Sequence, residues 1–205
     1  FWRDPYSIFL QKMGKPMDAP NEHMERGIRL EEQARQAVVN YLKGCVKDKN
    51  SSIFCRNCLD FTTIKLKYDP EFIQYTAKYK KNDKIFASFD GIDIENKLFL
   101  EIKCPSEKNF RKYIKKPEVP KIYNSQTQTQ AMISNSNWKI KQGIFANYFP
   151  DGVYLENKQT NEVNLIRLIL IDIKFDKEYQ KMIENTCNKF IKMIDSRSWN
   201  AKWDK

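Results

Sequence analysis

Three charged side chains, Asp90, Glu101 and Lys103, fall within the stretch KIFASFDGIDIENKLFLEIKCP from Lys84 to Pro105. Their types suit one chemistry, the metal-assisted hydrolysis of a phosphodiester. Two carboxylates bind a hard divalent cation through oxygen, and Mg²⁺ held in this way keeps positions for water and a substrate phosphate. Such an ion acidifies a water and neutralises charge building on the phosphate. A lysine two residues from a carboxylate orients that water or stabilises the anion.

For this chemistry the three groups must converge. From Lys97 onward the residues alternate, so a strand sends Leu98, Leu100 and Ile102 to one face and Phe99, Glu101 and Lys103 to the other. The first face can pack on a core, which leaves Glu101 and Lys103 projecting together; a solvated strand face is the plain alternative. A preceding strand over 85–89, joined through a turn at Asp93 to Asn96, brings Asp90 beside them as a hairpin partner. Gly91 permits the bend that ends this strand.

A long helix capped by Asn21 and running to about Leu42, ending near Gly44, offers a fourth group. At about 100° per residue, Met24, Ile28, Ala34, Val38 and Leu42 fall within about 60° of Glu31, while Glu32 falls outside this stripe. A carboxylate aimed at a core needs a cation or strong donors, so Glu31 asks for a metal site or Lys103 as partner. A small rotation of the helix would instead pair it with Arg35 at the surface.

After Pro105 the segment SEKNFRKYIKK reads as a short basic helix, and Lys108, Arg111 and Lys112 are candidates for phosphate contacts close to Glu101. A second helix over 120–134 sets Ile122, Tyr123, Gln126, Gln130 and Ile133 on one face, so that Gln126 is semi-buried and reaches inward. Strands are expected over 62–68, 72–77, 138–148 and 163–173, and a closing helix over 177–194. The lysine-rich run 78–84 could track phosphates beside the hairpin, or be an ordinary charged turn, the reading that fits most of its lysines. Asp4 and Pro5 open a short first helix with Ile8, Phe9 and Met13 on its apolar side, and the tryptophans of SRSWNAKWDK can dock back on the body.

The 205 residues suit a single domain, 1–205. Lysine and arginine number 36 against 26 acids, a net charge of +10 that favours a polyanionic partner. No apolar run nears the roughly 20 residues of a membrane helix and no signal peptide is seen, so a cytoplasmic protein is expected. Five cysteines, an odd number, fit a reducing compartment. Cys55 and Cys58 form a Cys-x-x-Cys with Cys45 nearby and the lone His23 far back, an incomplete zinc set.

Asp followed a hairpin later by Glu-x-Lys resembles the minimal pattern of the PD-(D/E)XK nucleases. The order GIRLEEQAR, ASFDGID, LEIKCP, YNSQTQTQAM and FANYFP is more specific, and from about Gly27 to Pro150 it resembles the lambda exonuclease and YqaJ-like viral recombinase family. The resemblance implies an α/β (α+β) restriction-endonuclease-like core, a central mixed β-sheet flanked by helices. It implies a Mg²⁺-dependent 5′ to 3′ exonuclease on double-stranded DNA, with Mn²⁺ as a substitute ion, that leaves single strands for a single-strand annealing protein. On this reading Asp90, Glu101 and the main-chain carbonyl of Ile102 hold one ion, and Glu31 completes a second position about 4 Å away. Lys103 orients or deprotonates the attacking water and Gln126 helps place it. Similar enzymes form ring-shaped homotrimers. The family's N-terminal segment, which receives the 5′ phosphate, is expected to be missing or cut short before Phe1, so exonuclease and endonuclease action both stay open. A RecB-like nuclease of the same fold and a non-catalytic DNA-binding module stay open beside them.

Overall fold

The computed structural model describes residues 5–15, 22–47, 68–157 and 162–200. Helices α1 (Pro5–Lys12) and α2 (Glu22–Lys47) come first, then strands β1 (Ile73–Tyr79), β2 (Asn82–Asp93) and β3 (Leu98–Lys103). Helices α3 (Glu107–Lys115) and α4 (Lys121–Trp138) follow, then β4 (Gln142–Asn157), β5 (Glu162–Asp172) and α5 (Lys177–Asp195). The strands form one sheet in the order β1-β2-β3-β4-β5. Pairing is antiparallel throughout except between β3 and β4, which run parallel from Leu98↔Gln142 to Lys103↔Asn147. This is the expected mixed sheet with flanking helices.

Parallel neighbours need a crossover of a dozen or more residues, usually helical. Here α3 and α4 supply it, and α4 lies across the sheet as a result. The LFLEIK alternation is realised as expected. Leu98, Leu100 and Ile102 pack with Ala34, Val38 and Leu42 of α2. Phe99 packs on the other side with Phe89, Phe145, Ala131 and Ile133. The second face is therefore not the solvated strand face that stood as the plain alternative. It carries its own core, because the crossover covers it.

Several expectations need correction. Gly91 does not end a strand: β2 continues to Asp93, with Gly91 paired to Leu100. Glycine is needed there for close approach, since a Cβ would meet that of Phe72 at 2.8 Å. The turn does fall at 93–96, where the Asp93 carboxylate accepts the Asn96 N–H at 2.9 Å. Met24 and Ile28 are 55% and 71% exposed, because only the part of α2 from Ala34 to Leu42 lies over the sheet. The fourth helix extends through Trp138, and the next strand starts only at Gln142. The strand expected over 62–68 and the side chains of Cys45, Cys55, Cys58 and His23 lie outside the described residues.

Of the two C-terminal tryptophans Trp199 does dock, 5.3 Å and 5.4 Å, ring to ring, from Tyr6 and Phe9 of α1, while Trp203 lies outside the described residues. The lysine-rich turn is anchored to α5 through Lys84 on Asp195 and Lys81 near Glu184. No helix among the described residues is long and apolar enough to cross a membrane.

Two glycines separate packing from propensity. In β4 a Cβ at Gly143 would run into the Phe99 ring, whereas Gly27 in α2 faces open space. Gly143→Ala is expected to lower stability by about 1–3 kcal/mol through overpacking. Gly27→Ala should raise it by about 1 kcal/mol through helix propensity. Urea midpoints of the two variants, moving in opposite directions, check the assignment.

Candidate active site at the end of β3

Pairing between β2 and β3 stops at Gly91↔Leu100, so the next backbone groups of β3 have no strand opposite them. The Asp90 carboxylate fills that role, accepting the Ile102 N–H at 2.6 Å. Both backbone groups of a strand residue point to the same neighbour, so the Ile102 carbonyl is turned toward this parting of the strands as well. Phe89 and Ile92, three residues apart, both belong to the core under α4, and the register of β1 against β2 shifts between them, so Asp90 sits at an irregularity where strict alternation is broken.

Glu101 is 0% exposed, beneath α4. Its Oε1 accepts the Gln126 amide at 2.7 Å and is ion-paired with the Lys103 ammonium, while its Oε2 accepts the Gln130 amide at 2.5 Å. Gln130 also donates to the Ser88 carbonyl at 2.9 Å, tying α4 to β2. The Lys103 ammonium lies 4.8 Å from the Tyr123 ring centroid, a cation–π contact on the first turn of α4.

Glu31 reaches the site from the α2 side. Its carboxylate accepts Arg35 Nη2 at 2.6 Å and Gln74 Nε2 at 3.1 Å, and remains 22% exposed. Of the two sequence readings of Glu31, the pairing with Arg35 is the one seen, while Lys103 is bonded to Glu101 instead. Arg35 is itself largely buried, donates through Nε to the Asp90 carbonyl at 2.7 Å, and also pairs with Glu32.

The charges press on one another. Burial raises the pKa of Asp90 above its ordinary 3.8, against the Ile102 N–H and the cations Lys103 and Arg35. Burial and then Asp90 raise that of Glu101, and the same two causes raise that of Glu31. Burial alone would lower the pKa of Lys103, but Glu101 and Asp90 outweigh it and the net shift is upward. The Cys104 thiol beside Lys103 is pushed up to about 11 by burial, which leaves it a poor nucleophile at neutral pH. Among the described residues no three His, Cys, Asp or Glu side chains are gathered into a ready-made metal cluster. Each acid is instead held by its own donors, around one parting of the strands.

Asp90, Glu101, Lys103 and Gln126 thus come together, with Glu31 adjoining. Gln126 is exposed rather than semi-buried, although its amide reaches inward, and Ile122 on the same helix is 60% exposed. The residues expected to touch DNA lie on the solvent side of α3, with Phe110 beneath them. Arg111 is bonded to Glu107 at 2.8 Å, and Lys112 to Asn109 at 3.1 Å. Two contributors are not evident as site residues in the sequence. Gln130 is four residues from Gln126 on the same helix face, and Arg35 is four residues from Glu31; that spacing is the available signal.

The sequence pattern of the YqaJ-like viral recombinase domain matches residues 2–137. The chain belongs to this family. Among solved structures, this YqaJ-like chain is similar to LHK-Exo, an alkaline exonuclease from Laribacter hongkongensis. The TM-score is 0.61 at 18% identity, over 94% of this chain and 78% of that one. LHK-Exo in complex with dAMP gives 0.60 at 17%, with the same coverage. A phage-related exonuclease from Haemophilus somnus 129PT gives 0.51 at 15%, over 94% and 79%. No curated protein sequence matches the chain. At these identities the likeness shows the fold, which is the PD-(D/E)XK type.

The electrostatics give a signed expectation. A carboxyl whose pKa is raised by folding contributes stability below its unfolded value, near 3.8 for Asp90, and loses it as pH rises through the raised value. Ionising Asp90 is thus a net cost to the metal-free fold. Asp90→Asn is expected to raise the metal-free melting temperature at pH 7.5, by about 2–4 °C per kcal/mol relieved. The gain should vanish near pH 3.5, as thermal melts at the two pH values would show.

Proposed function

We propose that this YqaJ-like chain is a divalent-cation-dependent nuclease that degrades double-stranded DNA from its ends, in the 5′ to 3′ direction. The observation that carries the reading is the wholly buried Glu101, joined to Lys103 and two α4 glutamines beside Asp90. A DNA-binding module has no need of such a group, since phosphate binding uses exposed cations.

The donors suit a hard cation. Asp90 and Glu101 are oxygen ligands, both desolvated and repelling each other, and a divalent charge would relieve both strains. Asp90, Glu101 and the Ile102 carbonyl would hold it, and Glu31 would serve a second ion. Mg²⁺ is the expected occupant, with Mn²⁺ as substitute. When bound, the ion supplies Lewis acidity toward phosphate and a more acidic water.

The chain's own groups do the rest. Lys103 is held protonated by its acidic neighbours, which favours the orienting and charge-stabilising role over deprotonation of the water. The Gln126 amide, held by Glu101 at the solvent side of the site, would orient the attacking water. Lys108, Arg111 and Lys112 would follow the phosphates; exposed pairs such as Arg111–Glu107 are weak enough to exchange for them. DNA as substrate, and release of mononucleotides from an end, are supported by the exonuclease relatives, one of them holding dAMP. Action in the cytoplasm, delivery of the remaining strand to an annealing protein and assembly into a ring-shaped trimer belong to the same reading, from the family.

Wild-type protein with Mg²⁺ should release acid-soluble nucleotides from linear duplex DNA and leave covalently closed circles intact. Lys103→Ala should lower that rate by about 10²-fold or more, the scale of losing one charge-stabilising donor. Cutting of closed circles at a comparable rate would replace the exonuclease reading with an endonuclease. An unimpaired Lys103→Ala would remove the role given to that lysine.

A further inference from the structure

Asn147, in β4, is 0% exposed, and among the described residues neither its Oδ1 nor its Nδ2 has a hydrogen-bond partner. Buried polar groups are nearly always paired, so a completely enclosed amide with both ends idle requires a reason. Its position supplies one. Asn147 is in register with Lys103 across the parallel β3–β4 pair, and residues so paired project to the same face from strands about 4.8 Å apart. Phe145, two residues earlier on the same face, has its ring centroid 5.5 Å from that of Tyr123, the ring that also lies against the Lys103 ammonium. Asn147 is thus the next side chain along the sheet from the proposed catalytic lysine.

In this structure Lys103 makes its ion pair with Glu101 Oε1, the oxygen that also accepts from Gln126. On the nuclease reading above, on which this inference rests, Glu101 must turn its oxygens to a cation. The ammonium, repelled by that cation, then needs another acceptor. An ammonium offers three donors and a side-chain amide oxygen two acceptor sites. We propose that Asn147 is a positioning residue for Lys103: its Oδ1 takes the ammonium when Glu101 is engaged by metal, holding the charge beside the scissile phosphate.

Asn147→Leu tests this, because leucine keeps the branched outline of asparagine, with as many side-chain heavy atoms and none of them polar. Replacing an unpartnered buried amide by an apolar isostere is neutral or stabilising. The metal-free melting temperature of the variant should therefore equal or exceed that of wild type. With Mg²⁺ and linear duplex DNA, kcat should fall about 10-fold or more with KM within about twofold, as expected for a group acting after DNA is bound. In a Lys103→Met background the same substitution should cost nothing further. A kcat within twofold of wild type would overturn the proposal. So would a melting temperature several degrees lower, which would mark Asn147 as a structural hydrogen bonder, or an equal loss with Lys103 already removed. A wild type that releases no nucleotide with Mg²⁺ would instead overturn the nuclease reading itself, and the role of Asn147 with it.

Discussion

The arrangement depends on one buried charge. Glu101 has no contact with solvent, and an isolated carboxylate in such a place is prohibitively unfavourable unless it is paired and hydrogen-bonded. Lys103, two residues along the same strand, gives the opposite charge, and Gln126 and Gln130 give one amide to each oxygen. The helix carrying those glutamines lies over Glu101 because of the topology. β3 and β4 are parallel, the chain must cross the sheet to join them, and the crossing helix is α4. The parallel pairing of β3 with β4 therefore both buries the acid and delivers the groups that make its burial tolerable.

The other half of the site is fastened from the opposite side of the sheet by Arg35. Its planar fork reaches the Asp90 carbonyl, Glu31 and Glu32 together, which a lysine's point charge could not do in fixed directions. α2 can bring Arg35 this close because the residues next to it on the packed face are small or branched: Ala34 and Val38 are fully buried against β3 and β4. Behind Arg35, a cleft of about 290 Å³ separates α2 from residues 69–72. Arg35 lines that cleft while its guanidinium bridges Glu31 to the Asp90 carbonyl, so the spacing of Glu31 from Asp90 is set by one side chain as well as by the helix axis.

What can be read from the sequence is local. The alternation in LFLEIK gives the two faces of β3 correctly, since a period of two does not depend on what covers the strand. That both faces are covered cannot be read from it, because the cover comes from residues about 25 positions later. Gly91 reads as a bend, yet its reason is the nearness of Phe72, a contact made only in the assembled sheet. The α2 wheel finds Glu31 but wrongly extends the buried stripe to Met24 and Ile28, since a hydrophobic pattern cannot show where the sheet beneath a helix ends. The three glutamines of QTQTQ show the limit well. Gln126 and Gln130, one turn apart, meet Glu101, whereas Gln128 faces away and bonds the Lys174 carbonyl, the Asp176 N–H and Gln180.

The chain carries a net charge of +10, but its candidate site is acidic, with Glu31, Asp90 and Glu101 around Arg35 and Lys103. The two signs act over different distances. Surface lysines and arginines are felt about 10 Å away at ordinary salt and draw in a polyanion of any sequence. On the proposed reading the buried acids would act only at contact, where they would favour a small divalent cation over the phosphate itself. A uniformly basic cleft would hold DNA without a means of cleaving it, and a uniformly acidic one would repel it. On the proposed function, the separation of a cationic exterior from an acidic parting of two strands would let the same fold attract the phosphate and still leave a place for the ion that would activate it.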